Sequence, residues 1–447
     1  MTTAQGTPRT DGTAGQRRAR LPLWAYLVAE VVSTTGTRMS MVAIPWFVLT
    51  TTGSATVTGV VAFAETLPYV VVLALGGPVV DRFGAWRVAI MAGVTAAALV
   101  GAVPALYAAG ALGLGALIAL VAAAGAVRGF ETSTYVLLPS LADSAGMPLT
   151  RATGLHDGMN RTAGMLGAPL AGLLIALWSA PVVLVVDAAS FLVAAAILAT
   201  LVPRSSQPPS TIDEQDGEAG EEGSTRGSTR GSYLRELREG FGFLRRDRLL
   251  VAIAVLVLVT NMLDQAYGAV LVPVWVHDEV GTPLALGLVF GVFGVGAVLG
   301  SSLFAWLGPR LPRRRSFAWG FLVGGAPRFF ALALAVTLPP VLAVSFVAGL
   351  ACGGINPALA ATEYERIPRQ LQARVIGALA AVAMAGIPIG GLLGGIAVTH
   401  LGLDIALVAL GLVYLVTTLA PLVLPVWREM DATAAGAQAS EPDLPES

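Results

Sequence analysis

Gly76-Gly-Pro-Val-Val-Asp-Arg-Phe-Gly-Ala-Trp-Arg87 is a short polar stretch set between two long apolar runs, one ending near Val80 and one starting near Val88. Gly77 lets two backbones approach closely, and Gly84 permits a tight turn. Asp81, Arg82 and Arg87 can form a charge latch that closes in one conformation and opens in another. A plainer reading is also open: an Arg-bearing loop that orients its flanking segments in a bilayer.

Working outward, the same alternation of apolar run and short break fills the chain. Of its 447 residues, 55% are hydrophobic and only 12% charged, with mean hydropathy +0.75. Soluble proteins carry about 25% charged residues, so the composition is that of a polytopic membrane protein. A crossing needs roughly 20 mostly apolar residues. Such runs fall near 22–49, 56–80, 88–108, 112–138, 158–178, 181–201, 249–274, 284–307, 317–337, 340–361, 375–399 and 404–426, which predicts twelve transmembrane helices.

Arginine orients them, since the chain has no lysine. Links after odd-numbered spans are almost free of Arg. Links after even-numbered spans carry Arg82 and Arg87, then Arg151, the central loop, Arg310 with Arg313–Arg315, and Arg366, Arg369 and Arg374. The positive-inside rule then makes both termini cytoplasmic in a multi-pass protein of the cell membrane. The expected organisation is a cytoplasmic tail (1–21), a six-helix half (22–202), a cytoplasmic linker (203–248), a second six-helix half (249–426) and a cytoplasmic tail (427–447). Within the linker, 203–232 is Gly-, Ser- and Pro-rich and is expected to be disordered. Residues 233–247 place Leu234, Leu237, Phe241 and Leu244 at helical spacing, an amphipathic helix expected on the inner membrane surface. The halves echo each other. Thr58-Gly59 and Asp81-Arg82 have counterparts at Leu286-Gly287 and Pro309-Arg310, all offset by 228. Ala168-Pro-Leu-Ala-Gly172 has one at Ile387-Pro-Ile-Gly-Gly391, offset by 219.

The pattern Gly77-x-x-x-Asp81-Arg82-x-Gly84-x-x-Arg87 resembles the helix 2–3 loop signature of the major facilitator superfamily. Leu166-Gly-Ala-Pro-Leu-Ala-Gly-Leu-Leu174 is similar to the antiporter motif of that superfamily through Gly167, Pro169 and Gly172, with Ala168 and Leu173 standing where the motif has glycine. Val186-Asp-Ala-Ala-Ser-Phe191, Glu239-Gly-Phe-Gly-Phe-Leu-Arg-Arg-Asp247 and Arg374-Val375 resemble segments of its drug-efflux branch, which includes macrolide exporters and the enterobactin exporter. The resemblance implies an all-α fold of two pseudo-symmetric six-helix halves, with helices 1, 4, 7 and 10 lining a central cavity. It also implies proton-coupled efflux of a lipophilic or amphipathic small molecule by alternating access. A siderophore exporter, an importer of the same fold, and a transporter-like sensor are the alternatives.

Ionisable groups at mid-bilayer cost at least about 2.5–3.5 kcal/mol each and need a partner or a wet cavity. Glu30, Arg128, Glu131 and Asp264 are the proton-coupling candidates, because the resemblance puts their helices on the cavity. Glu30 and Arg128 lie at similar depth, roughly 10–15 Å from the Arg-rich end at 1.5 Å per residue, so Glu30 is the expected carrier and Arg128 its partner. A static pair of Arg128 with Glu131 is the competing reading. Arg38 and Glu65 share the other half of the membrane and are expected to pair. Asp187 is expected to pack, Arg328 to tie helices beside Pro327, and Asn356-Pro357 to break span 10. His156, His277 and His400 have no ligand spacing, so no metal or other cofactor is expected, the proton gradient being the energy source. The chain has no lysine for a nucleotide-binding loop and no nucleophile constellation, which argues against an ATP-driven pump and an enzyme. The expected partners are the lipid bilayer and a small-molecule substrate, with no nucleic acid, and the expected functional unit is a monomer.

Overall fold

The computed structural model describes residues 12–204, 238–335 and 337–431, with the side chains of 12–19, 131–133 and Pro309 outside that description. The described chain is helical almost throughout, in twelve crossings. We number them α1 (Gly12–Thr52), α2 (Ala55–Leu75), α3 (Ala85–Ala108), α4 (Leu114–Arg128, continued by Glu131–Leu137 and Leu138–Ser144), α5 (Leu149–Leu177) and α6 (Ala180–Leu201). The second half holds α7 (Arg248–Ala266, continued to Val280), α8 (Pro283–Leu307), α9 (Arg313–Gly324 and Ala326–Leu334), α10 (Leu338–Cys352 and Ile355–Arg366), α11 (Gln372–Leu401) and α12 (Leu403–Val423). Nine of these are long and apolar enough to cross a membrane by themselves among the described residues. The other three are α1 and α5, whose apolar runs are interrupted by charge, and α4, whose regular part is short.

Local chemistry sets the breaks. Ser54 caps α2 by accepting from the Val57 amide at 3.3 Å. Asp247 caps α7, its Oδ1 accepting from Leu249 and Leu250 at 3.0 and 3.1 Å. A carboxylate at that position also favours the positive end of the helix dipole. Gly84 has φ 83° at the turn into α3, a conformation only glycine adopts cheaply. In α10 the break falls at Gly353-Gly354, earlier than expected. Asn356-Pro357 instead sits in the first turn of the following helix, where a missing amide costs nothing. Two π-helical turns, Tyr267–Leu271 and Val276–Val280, widen the outer part of α7.

The halves meet along two seams, α2 with α11 and α5 with α8. At one, a Cβ on Gly59 would lie 3.1 Å from Gly395 Cα, and one on Gly391 2.8 Å from the Ala62 Cβ. At the other, a Cβ on Gly172 would lie 2.9 Å from Gly287 Cα. The echoed glycines of the sequence, Gly59 with Gly287 and Gly172 with Gly391, are therefore equivalent points on two symmetry-related seams. Thr56 and Thr399 add a 2.6 Å hydroxyl contact across the first.

Contacts between the halves concentrate at the Arg-poor end. There, Trp46, Phe47, Leu271 and Trp275 belong to one buried core shared by both halves, and the Trp46 ring packs edge-on against His277. At the Arg-rich end each half has a core of its own. Leu23, Tyr26, Leu137 and Leu141 build one, and Leu249, Phe317, Val375 and Trp427 the other. The buried core is thus continuous between the halves at the Arg-poor end and divided between them at the other.

Of the expected amphipathic helix, residues 238–244 are described and helical. Leu244 is buried and Phe241 packed in the core of the second half, and Glu239 pairs with Arg374 at 2.6 Å. At Phe241 and Leu244 the apolar face therefore lies on protein where a membrane surface was expected. Of the expected disordered segment 203–232, residues 205–232 lie outside the described residues, as do 233–237, 1–11 and 432–447.

Candidate functional site

The interior of the first half holds an ionic cluster built by α2, α4, α6 and α1. Arg128 is 8% exposed, and its Nη1 donates to Glu65 Oε1 at 2.6 Å. Packing fixes this choice of partner. One turn before Arg128, Gly125 brings α4 against the backbone of α2, where a Cβ would lie 2.9 Å from the Glu65 carbonyl carbon. The guanidinium also stands 5.9 Å from the Tyr69 ring centre. Asp187, Ser40, Glu65 and Arg128 line one small cavity, and Ser40 donates a short hydrogen bond to the Asp187 carboxylate. Asp187 is thus satisfied in a packed α1–α6 contact.

Two expected pairings are revised. Arg128 pairs with Glu65, not with Glu30. Arg38 does not reach Glu65, because it lies on the α5 side of α1. There its Nε would be 3.8 Å from a Cβ on Gly164, and its Nη1 is 3.6 Å from Met41 Sδ. Glu131 has its side chain outside the described residues, so the Arg128–Glu131 pairing is left there.

Glu30 and Arg128 nonetheless line one cavity, together with Ser33, Thr34, Thr134 and Phe191. Glu30 faces a group the sequence left aside. Its Oε2 is 3.8 Å from His156 Nε2 on α5. The imidazole is stacked on Tyr26 with ring centres 6.0 Å apart, and the Tyr135 ring meets it at 5.1 Å. Asn160 Nδ2 lies 3.1 Å from His156 Nε2, while Thr34 donates to Asn160 Oδ1 at 3.2 Å. The signal in the sequence is the i, i+4 spacing of His156 and Asn160 on α5 against Tyr26, Glu30 and Thr34 on α1.

In the second half, Asp264 on α7 accepts from Arg328 Nη2 at 2.6 Å, and the Tyr414 hydroxyl is 3.5 Å away. Arg328 is capped by the Tyr267 and Phe293 rings at 4.9 and 5.0 Å. Asp264 therefore ties α7 to α9 and α12. Asn261 donates to the Ala383 carbonyl at 2.9 Å, a tie to α11.

The gating-loop residues lie at the Arg-rich end. Asp81 and Arg82 are exposed in the short helix Gly77–Phe83. Asp81 makes no ion pair or hydrogen bond among the described residues. Arg82 stands over the Phe83 ring at 5.6 Å, and Arg87 is half-buried at the start of α3. Gly77 does not mediate a close approach here, since a Cβ there meets open space. The crowded glycine is Gly76, where a Cβ would lie 2.9 Å from the Phe130 ring. Of the antiporter-like residues, Pro169 against Gly291 of α8 and Gly172 against Gly287 sit in the α5–α8 seam, while Gly167 packs against Thr35 of α1 within the first half.

The sequence profile of the Major Facilitator Superfamily matches residues 26–267 and 255–446. The multidrug efflux pump Tap of Mycobacterium tuberculosis (strain H37Rv) is 29% identical over 418 residues, covering 92% of this chain and 95% of that protein. Tap of Mycolicibacterium fortuitum is 28% identical over 419 residues, 92% of this chain and 98% of that one. Among solved structures, the nucleoside transporter NupG has a TM-score of 0.71 at 13% identity, covering 90% of this chain and 98% of that one. A bacterial homolog of the human lysosomal transporter Spinster has a TM-score of 0.63 at 13% identity, covering 96% and 98%. These structures share the fold.

Proposed function

This chain belongs to the Major Facilitator Superfamily, a family of transporters and not of enzymes, and from that premise we propose that it exports lipophilic or amphipathic small molecules. Drugs, antibiotics and secondary metabolites are the substrate class, and the proton gradient is the energy source. The observation that carries export is the similarity to multidrug efflux pumps over nearly the whole of both chains. The half-and-linker organisation read from the sequence, with both termini cytoplasmic and a monomer as the working unit, belongs to the same proposal.

With the Arg-rich end cytoplasmic, the parted ends of the two halves face the cytoplasm, which suits loading of a substrate from the inner side. Asp81 then belongs to a latch that is open in this state and closes when the halves approach. Glu30 is the proposed proton carrier, supported by its place on a cavity it shares with Arg128. Glu131 and Asp264 are the next candidates. The Glu65–Arg128 pair holds α2 to α4 beside that cavity.

The test uses inside-out membrane vesicles loaded with ethidium from the medium under an imposed proton gradient. Wild-type protein should concentrate ethidium, and an uncoupler should abolish this with ATP held constant. Glu30→Gln should still bind ethidium and fail to concentrate it. Accumulation that survives the uncoupler would sink the proton-coupled reading, and wild-type accumulation by Glu30→Gln would remove that residue as carrier.

A further inference from the structure

His156 is an interior histidine that the reading above does not use. It is 9% exposed and stands at the Arg-rich side of the molecule, just ahead of the apolar run 158–178 of α5. Among the described residues, few titratable or charged groups face it. Glu30 Oε2 comes from α1 at 3.8 Å, and Asp157 Oδ1 from its own helix lies 3.7 Å from Nδ1. The Tyr26 and Tyr135 rings enclose it from α1 and from the continuation of α4. Arg161, one turn further along α5, is exposed.

We propose that His156 is the proton donor to Glu30, the two forming one exchange site that α1 and α5 share in the state open at the Arg-rich end. This deepens the proton-coupled reading and rests on it. Asn160 serves the imidazole in either protonation state. As placed, its Nδ2 lies 3.1 Å from Nε2 and 3.4 Å from Nδ1, which suits a neutral imidazole. When the imidazole is protonated both nitrogens donate. Exchanging the two ends of the Asn160 amide then turns its carbonyl oxygen toward the ring, and the Glu30 carboxylate, 3.8 Å from Nε2, balances the charge.

The transfer moves one proton. The imidazolium Nε2–H bond breaks, an O–H bond forms on Glu30 Oε2, and the neutral imidazole takes its replacement from water at the open end. The 3.8 Å gap must close by about 1 Å to reach hydrogen-bond length, a movement within the reach of side-chain rotation. The Glu30 carboxylate is the charge placed to balance an imidazolium at His156, a side chain whose protonation changes across the physiological range.

The experiment is a histidine-selective ¹⁵N NMR titration of the full chain in lipid nanodiscs between about pH 5 and 9. His156→Gln identifies the resonance among the three histidines. In Glu30→Gln, the His156 titration should move to lower pH by about one unit or more, a tenfold loss of proton affinity. Glu30→Asp, with a shorter reach, should give a smaller shift in the same direction if the amide variant folds poorly. An identical His156 titration in wild type and both variants overturns the proposal. The transport arm measures gradient-driven ethidium accumulation against pH. His156→Gln should flatten the profile across the range in which His156 titrates, and a wild-type profile overturns the donor role. Gradient-independent transport by the wild type, with the NMR shift intact, would overturn the proton-coupled reading and the donor role with it, while the pair itself stood.

Discussion

Arg128 and Glu65 satisfy each other in a place where neither charge can be left alone. An Arg or Glu without a partner at mid-membrane costs several kcal/mol, and the 2.6 Å contact removes most of that cost for both. Their burial makes the pair asymmetric under mutation. Glu65→Gln takes a carboxylate partner from a buried guanidinium and should cost on the order of 3–5 kcal/mol. The double variant Glu65→Gln/Arg128→Met removes both charges and should recover much of that loss. Thermal unfolding in detergent checks this. A double variant as unstable as the single one would mean that Arg128 is held by something other than Glu65. The Asp264–Arg328 pair follows the same logic in the second half, with the Tyr267 and Phe293 rings supplying further contact to the cation.

At the scale of elements, the glycine seams set what the helices can do. Backbone contact at Gly59 and Gly172 keeps the side chains few and small at those points of the α2–α11 and α5–α8 crossings, which suits helices that slide and tilt past each other. If the Arg-poor end opens during transport, a covalent tie across the seam should arrest the cycle. Thr56→Cys/Thr399→Cys, in a chain whose single native cysteine is replaced by Cys352→Ser, should cross-link under mild oxidation and lose ethidium transport, with recovery on reduction. Full transport by the cross-linked protein would show that this end stays shut. The spans, the echoed seams and the latch loop were legible because apolar run length, arginine placement and glycine spacing are one-dimensional signals. The pairings were not. Depth along a helix put Glu65 in the half of the membrane away from Arg128, yet their long side chains meet; which neighbour each group reaches depends on the rotation of its helix, which packing at Gly125 and Gly164 decides. His156 escaped notice for a related reason: it stands before the apolar run of α5, where the sequence reads as membrane edge, yet α1 and the continuation of α4 cover it.

For the whole molecule, the division of the buried core is the central observation. One shared core closes the Arg-poor end, and two separate cores lie at the Arg-rich end. A transporter built this way would exchange these conditions, parting the shared core as the separate ones come together, and the proposed Glu30–His156 pair would then be reached from alternate sides. Spin labels report this directly in the Cys352→Ser background. One pair, Ser144→Cys with Gln370→Cys, spans the Arg-rich end, and another, Thr52→Cys with Thr282→Cys, spans the Arg-poor end. Double electron–electron resonance in nanodiscs, with pH and ethidium varied, gives both distance distributions. Alternating access predicts opposite changes, the Ser144–Gln370 distance falling as the Thr52–Thr282 distance grows. Distances that stay fixed under every condition, or that lengthen together, would contradict it.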